Sequence, residues 1–104
     1  MSYTIIRHPG VEADLLEITS YIASYAGLAV GKAKVDEIVA FINRLADYPK
    51  IGSLRNELSP GLRAIPAAGK ATVCFKVDDE RRQLIILCIS YAGSDWASRV
   101  KDRR

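Results

Sequence analysis

Histidine, cysteine, tryptophan and methionine are scarce in this 104-residue chain, which has one His, two Cys, one Trp and one Met. Each scarcity excludes some chemistry. Cys74 and Cys88 do not form a C-x-x-C pair and His8 is the sole histidine, so a zinc site would lack ligands. A serine or cysteine nucleophile would have only His8 as its base. His8 stands beside Pro9 at a strand end, where a surface or capping role is the simpler reading. The two cysteines read as buried thiols on neighbouring strands, without a disulfide in a reducing cytosol. No apolar run reaches the ~20 residues of a membrane span; the longest, Leu84 to Ile89, is strand-sized. The start, Met1 to Arg7, lacks the basic, apolar and small-residue regions of a signal peptide. There is no Gly-rich phosphate loop, H-E-x-x-H or G-x-S-x-G. The expectation is a cytoplasmic protein with no membrane association, no cofactor and no metal.

What is present is a globular composition, 49% hydrophobic and 26% charged, of a length that suits one domain over 1–104. The net charge of +3 is unevenly spread: residues 1–49 carry −2 and residues 50–104 carry +5. A basic C-terminal half points to an acidic partner, either nucleic acid or a protein surface.

Residues 2–7 have strand composition, and His8-Pro9-Gly10 stops the strand. Val11, Leu15, Ile18, Ile22 and Tyr25 recur at helical spacing, with Glu12, Asp14 and Glu17 where the helix dipole favours negative charge. Gly27 ends that helix. A second follows through Val35, Ile38, Ile42 and Leu45 and stops at Pro49. So short a connection makes an antiparallel helix hairpin. Val35 and Ile38 read as core. Residues 50–60 read as a loop, Leu62 to Ala67 as a short strand, and Ala71 to Val77 as an alternating strand. Asp78 to Arg82 makes a polar turn, and Leu84 to Ile89 is a strand apolar on both faces. Ser94 is placed to cap a last short helical turn through Trp96 and Val100, Asp95 reads as a cap or as the partner of a nearby arginine, and Lys101 to Arg104 fray. The order β-α-α-β-β-β predicts an α+β fold, with the helix hairpin packed on a small, mostly antiparallel sheet.

No acid–base or nucleophilic constellation stands out, so the informative residues are basic and aromatic. Arg55, Arg63, Lys70, Lys76, Arg81, Arg82 and Arg99 flank or lie on the strands, and arginine forks match phosphates and carboxylates. Tyr91 and Trp96 offer flat faces for stacking.

The segments Glu12-Ala13-Asp14-Leu15-Leu16-Glu17-Ile18, Pro49 through Arg63 (P-x-x-G-x-x-R-x-E-L-x-P-G-L-R) and Gly93-Ser94-Asp95-Trp96 together resemble the RelE/ParE toxin superfamily over residues 3–97. The resemblance implies a helix hairpin on an antiparallel sheet and a cognate antitoxin that wraps the toxin as a hetero-oligomer. It also implies a role in plasmid stabilization. RelE-like members cut messenger RNA on the ribosome, using Lys and Arg to hold phosphate charge. ParE-like members bind DNA gyrase, with no known chemistry of their own. At the strand positions where RelE-like nucleases are basic, this chain has Ala71 and Thr72, and Tyr91 is followed by Ala92-Gly93-Ser94-Asp95 without a cation. Each missing cation would forfeit roughly 3 kcal/mol of transition-state stabilisation. The resemblance therefore implies a ParE-like gyrase inhibitor, with target contacts at Arg55, Arg63, Lys70, Tyr91 and Trp96 and no catalytic residue. The alternative is a ribosome-dependent endoribonuclease using Arg63, Lys70, Lys76 and Tyr91. A non-toxic binding module of the same fold is the third reading.

Overall fold

A computed structural model describes residues 2–93 and 95–103. Strand β1 (Thr4–Arg7) leads into helices α1 (Gly10–Ala26) and α2 (Leu28–Leu45). Four strands follow: β2 (Ser53–Leu54), β3 (Arg63–Ala67), β4 (Ala71–Asp78) and β5 (Gln83–Tyr91). Helix α3 (Trp96–Arg103) closes the described chain. The sheet order is β1-β5-β4-β3-β2, antiparallel except for β1, which lies parallel to β5.

The expected α+β architecture and the order of its long elements are present, with two additions. β2 lies inside the stretch expected to be a loop. It has only two residues, too few for an alternating pattern, and exists because Ser53 and Leu54 pair with Ala64 and Arg63. Gly52 makes this approach possible: at φ +84°, a Cβ there would lie 2.7 Å from the Ala64 carbonyl oxygen. The second addition is the length of α3. Lys101 to Arg103, expected to fray, are helical. The suggested Ser94 cap falls outside the described residues, whereas Asp95 does cap the helix, accepting from the Ser98 amide (3.3 Å) and hydroxyl (2.7 Å).

The helix hairpin covers one face of the sheet. Val11, Leu15, Ile18 and Ile22 from α1 and Ile38, Ile42 and Leu45 from α2 bury against Val73, Phe75, Leu84, Ile86 and Ile89. Val35 packs at the margin of this core. The two helices approach closely at Gly31, where a Cβ would stand 2.7 Å from the Thr19 carbonyl oxygen. On the opposite face α3 places Val100 against Leu62, Ala64, Cys74, Leu87 and Cys88. β5 serves both cores, which explains its lack of polar alternation. A bulge at Cys74/Phe75 shifts its register, so Leu87 and Cys88 both belong to the α3 side.

Tyr25, expected on the buried stripe of α1, is 62% exposed. Its angular position is right, but the helix outruns the sheet. Residues 24–30 at the hairpin tip are all exposed, Leu28 and Val30 among them.

The expectations for His8, for the Asp78 turn and for two buried cysteines on neighbouring strands are met. The His8 imidazole caps α1 by accepting from the Gly10 amide at 3.0 Å. Asp78 accepts from the Arg81 amide in the β4–β5 turn at 3.1 Å. Cys74 and Cys88 face each other across β4 and β5 as buried free thiols. The hydrogen bond to Cys88, reinforced by burial, pushes the Cys74 thiol above its ordinary range and keeps it protonated.

Candidate functional site

The residues singled out in the sequence do not converge on one point. Arg55 follows β2 and Trp96 opens α3, and the fold brings them together: the Arg55 guanidinium lies 5.0 Å from the Trp96 ring centre. Arg55 also pairs with Glu57 at 2.6 Å. That hydrogen bond holds the Glu57 carboxyl below the usual carboxylate range. Tyr91 ends β5 opposite Ala71, and the next residue, Ala92, donates its amide to the Lys70 carbonyl at 3.0 Å. Tyr91 and Lys70 are thus neighbours at the far end of the β3–β4 and β5 ladder. Arg63 pairs with Leu54, next to Arg55, and with Phe75, four residues along β4 from Ala71. At about 3.3 Å per residue that is roughly 13 Å. Lys76 follows Phe75 and so presents to the opposite face of the sheet from Phe75 and Arg63. Arg63, Lys70, Lys76 and Tyr91 therefore do not surround a common centre.

A cleft of about 290 Å³ lies at the Tyr91 end, where α1, the end of β5 and α3 meet. Ile18, Tyr21 and Tyr91 form its apolar wall, Ala92 and Gly93 its floor, and Glu17 and Arg99 its polar wall. Tyr21 stands edge-on to Tyr91 (6.1 Å between ring centres) and to Tyr25 (5.5 Å), a geometry favoured by the aromatic quadrupole. The bend carrying the chain from β5 towards α3 needs left-handed backbone at Ala92 (φ +54°) and Gly93 (φ +82°). A half-open cleft with an aromatic side and an ion pair suits contact with a macromolecule better than covalent chemistry. Its lining contains no nucleophile–base pair among the described residues. Among the described residues, no group of three or more His, Cys, Asp or Glu could hold a metal, and no helix is long and apolar enough to cross a membrane.

Arg99 and Asp14 matter more than the sequence alone suggested. Arg99 donates to Glu17 at 2.8 Å and to Asp14 at 3.2 Å. The Glu17 hydrogen bond raises the Arg99 pKa further, so the guanidinium keeps its charge. Asp14, expected to answer the helix dipole, is instead 2% exposed and lies beneath α3. A signal for this was available: position 14 falls on the buried stripe beside Val11, Leu15 and Ile18, where a carboxylate requires a partner. Tyr21 lies beside the apolar stripe of α1 and is half exposed, and only the position of Tyr91 brings it into the cleft lining.

A helix hairpin over one face of a five-stranded, mostly antiparallel sheet defines a compact α+β fold. Solved structures share this fold. The fold matches one in the chromosomal ParDE toxin–antitoxin system of P. aeruginosa, with TM-score 0.74 at 21% identity over 88% of this chain and 97% of that one. E. coli toxin RelE, solved as a mutant in the free state, matches with TM-score 0.69 at 14% identity over 99% and 98%. A chain of the RelBE2 toxin–antitoxin complex from Mycobacterium tuberculosis matches with TM-score 0.67 at 22% identity over 88% and 100%. The model for the ParE toxin of the type II toxin–antitoxin system parDE matches residues 5–96, and the chain belongs to that family. Toxin ParE3 of Caulobacter vibrioides is 32% identical over 59 residues, which is 57% of this chain and 59% of that relative's length.

Proposed function

We propose that this protein is a growth-inhibiting toxin that binds DNA gyrase and is neutralised by a cognate antitoxin. The observation that carries the choice of target is the dispersal of its cations. A nuclease without a histidine or a metal must hold the developing phosphate charge with several donors at hydrogen-bond distance from one point. Here Arg63 and Lys76 belong to opposite faces of the sheet, and Lys70 lies beyond Ala71, which is itself roughly 13 Å along the ladder from the Arg63 pairing position. Ala71, where a cation would be needed, is buried and apolar. Membership of the ParE family agrees with this reading, and the P. aeruginosa and M. tuberculosis relatives come from toxin–antitoxin systems, which supports an antitoxin partner here.

Target contact is assigned to the Arg55–Trp96 stack, to Arg63, and to the Tyr91–Lys70 end with its cleft. Arg55, Arg63, Lys70, Tyr91 and Trp96 all belong to the basic half of the chain, which would attract an acidic surface or gyrase-bound DNA. The test is gyrase supercoiling and DNA cleavage with the purified chain. Accumulation of double-strand-cleaved DNA that the antitoxin reverses is the expected result. Unaffected gyrase, together with codon-linked cuts in translated messages that Arg63→Ala abolishes, would transfer the assignment to the endoribonuclease. Unaffected growth on expression without an antitoxin would leave a binding module.

A further inference from the structure

The short strand β1 covers only part of the edge of β5. Its register runs from Thr4 opposite Gln83 to Arg7 opposite Ile86, and the His8 amide donates to the Ile86 carbonyl at 2.8 Å. Among the described residues no strand pairs with this edge beyond Ile86, and its backbone groups need other partners. Side chains supply them. The Ile89 amide donates to Asp14 Oδ2 at 3.0 Å. The Leu87 carbonyl accepts from Arg103 at 3.2 Å, and the Ile89 carbonyl lies 3.5 Å from Arg99 Nη1. Asp14 is common to all of this. Besides the Ile89 amide, its carboxylate accepts both terminal nitrogens of Arg103, Nη2 at 2.9 Å, and Nη1 of Arg99 at 3.2 Å. One buried carboxylate on α1 thus joins α1, the open edge of β5 and both arginines of α3.

Little else holds α3. It has eight residues, too few for a helix to persist on its own propensity. Val100 is its single fully buried apolar side chain, with Trp96 packed at the margin. The fit around Arg103 is close: a Cβ at Gly10 would lie 2.6 Å from the guanidinium carbon.

We propose that Asp14 is the positioning residue of the C-terminal helix. Acting through Arg99 and Arg103, it seats α3 over the open edge of β5, and so builds the Arg99 wall of the cleft without touching a target. The functional consequence rests on the reading of that cleft as a target surface. The cluster is balanced, two carboxylates against two guanidiniums, with Glu17 bound to Arg99 alone. Neutralising Asp14 removes the carboxylate with which Arg103 pairs. An ionic knot built on a buried carboxylate selects one docked position more than it adds net stability.

Hydrogen–deuterium exchange on the full chain tests the proposal. In Asp14→Asn, the amides of α3 and of Ile89 should exchange at least about tenfold faster, the scale of losing a hydrogen bond to a charged group. Val73 and Cys74 in β4 should keep wild-type protection. The same substitution in an Arg99→Gln/Arg103→Gln background should change α3 little, since the carboxylate then has no guanidinium to act through. An unchanged α3 in Asp14→Asn, or a full-sized effect in the double-glutamine background, overturns the proposal. If Asp14→Asn unfolds the whole chain, Arg103→Gln decides the matter: selective release of α3 supports the proposal, and wild-type protection of α3 overturns it. Gyrase inhibition is measured on the same proteins. A wild-type chain inert on gyrase removes the target reading and leaves the exchange result standing. A released α3 with undiminished inhibition removes the link from α3 to function.

Discussion

Gly31 illustrates what a single residue controls in this chain. It sits where α2 passes over the Thr19 carbonyl of α1, and a methyl group there would meet rigid backbone at 2.7 Å. Gly31→Ala should destabilise the protein by about 1–3 kcal/mol despite the better helix propensity of alanine, because the helices must separate. Urea unfolding measures it, and an unchanged midpoint would refute the close crossing. Phe75, fully buried at the centre of the sheet beside the β4–β5 bulge, is the corresponding large residue. Phe75→Ala should cost about 3–5 kcal/mol, a large part of the ~5–15 kcal/mol that holds a typical domain folded, and the same urea unfolding measures it.

The elements differ in what holds them. The helix hairpin and the inner strands are held by apolar burial, which does not depend on pH. Helix α3 is held largely by polar contacts, the Asp95 cap among them. The Ser98 hydroxyl, and after it the Ser98 amide, lower the Asp95 pKa below the usual carboxylate range. A carboxylate whose pKa is lower in the folded state contributes stability above its unfolded pKa, and that contribution is lost as pH falls through the folded pKa. The N-terminal turn of α3 should therefore loosen selectively on acidification below the ordinary carboxylate range. NMR amide shifts of Ala97 and Ser98 followed from pH 6 downward, in wild type and Asp95→Asn, measure this. A flat profile in the wild type would show that the cap contributes nothing.

For the molecule as a whole, the distribution of exposed apolar surface matters more than its total. The hairpin tip extends beyond the sheet, and from Ile18 to Gly31 the sequence has no charged side chain. Tyr25, Leu28 and Val30 are at least half exposed there. With no core contacts to lose, Tyr25→Ser together with Leu28→Ser should change unfolding free energy by no more than about 0.5 kcal/mol per site. The same pair should reduce self-association of the isolated chain, as light scattering would detect. A large loss of stability would mean that the tip is packed more tightly than its exposure indicates.

The sequence by itself determined most of the architecture. Periodicity located both long helices, alternation located β4, and an unbroken apolar run marked β5 as buried on both faces. These signals are local, because burial of a helix or strand face repeats at the period of its own backbone. It also determined the family, through motifs spread along nearly the whole chain. Tertiary structure alone decided the rest. β2 depends on its partner strand, and the parallel placement of β1 beside β5 joins residues some eighty positions apart. Tyr25 bears a core residue's pattern but extends past the end of the sheet, so its exposure depends on where a distant strand stops. The candidate contacts divide between two patches because side-chain direction along β3 and β4 is set by register. Asp14 shows the same dependence: its position on an apolar stripe indicates that it needs a partner, but Arg99 and Arg103 lie more than eighty residues away, and only the fold brings them to it.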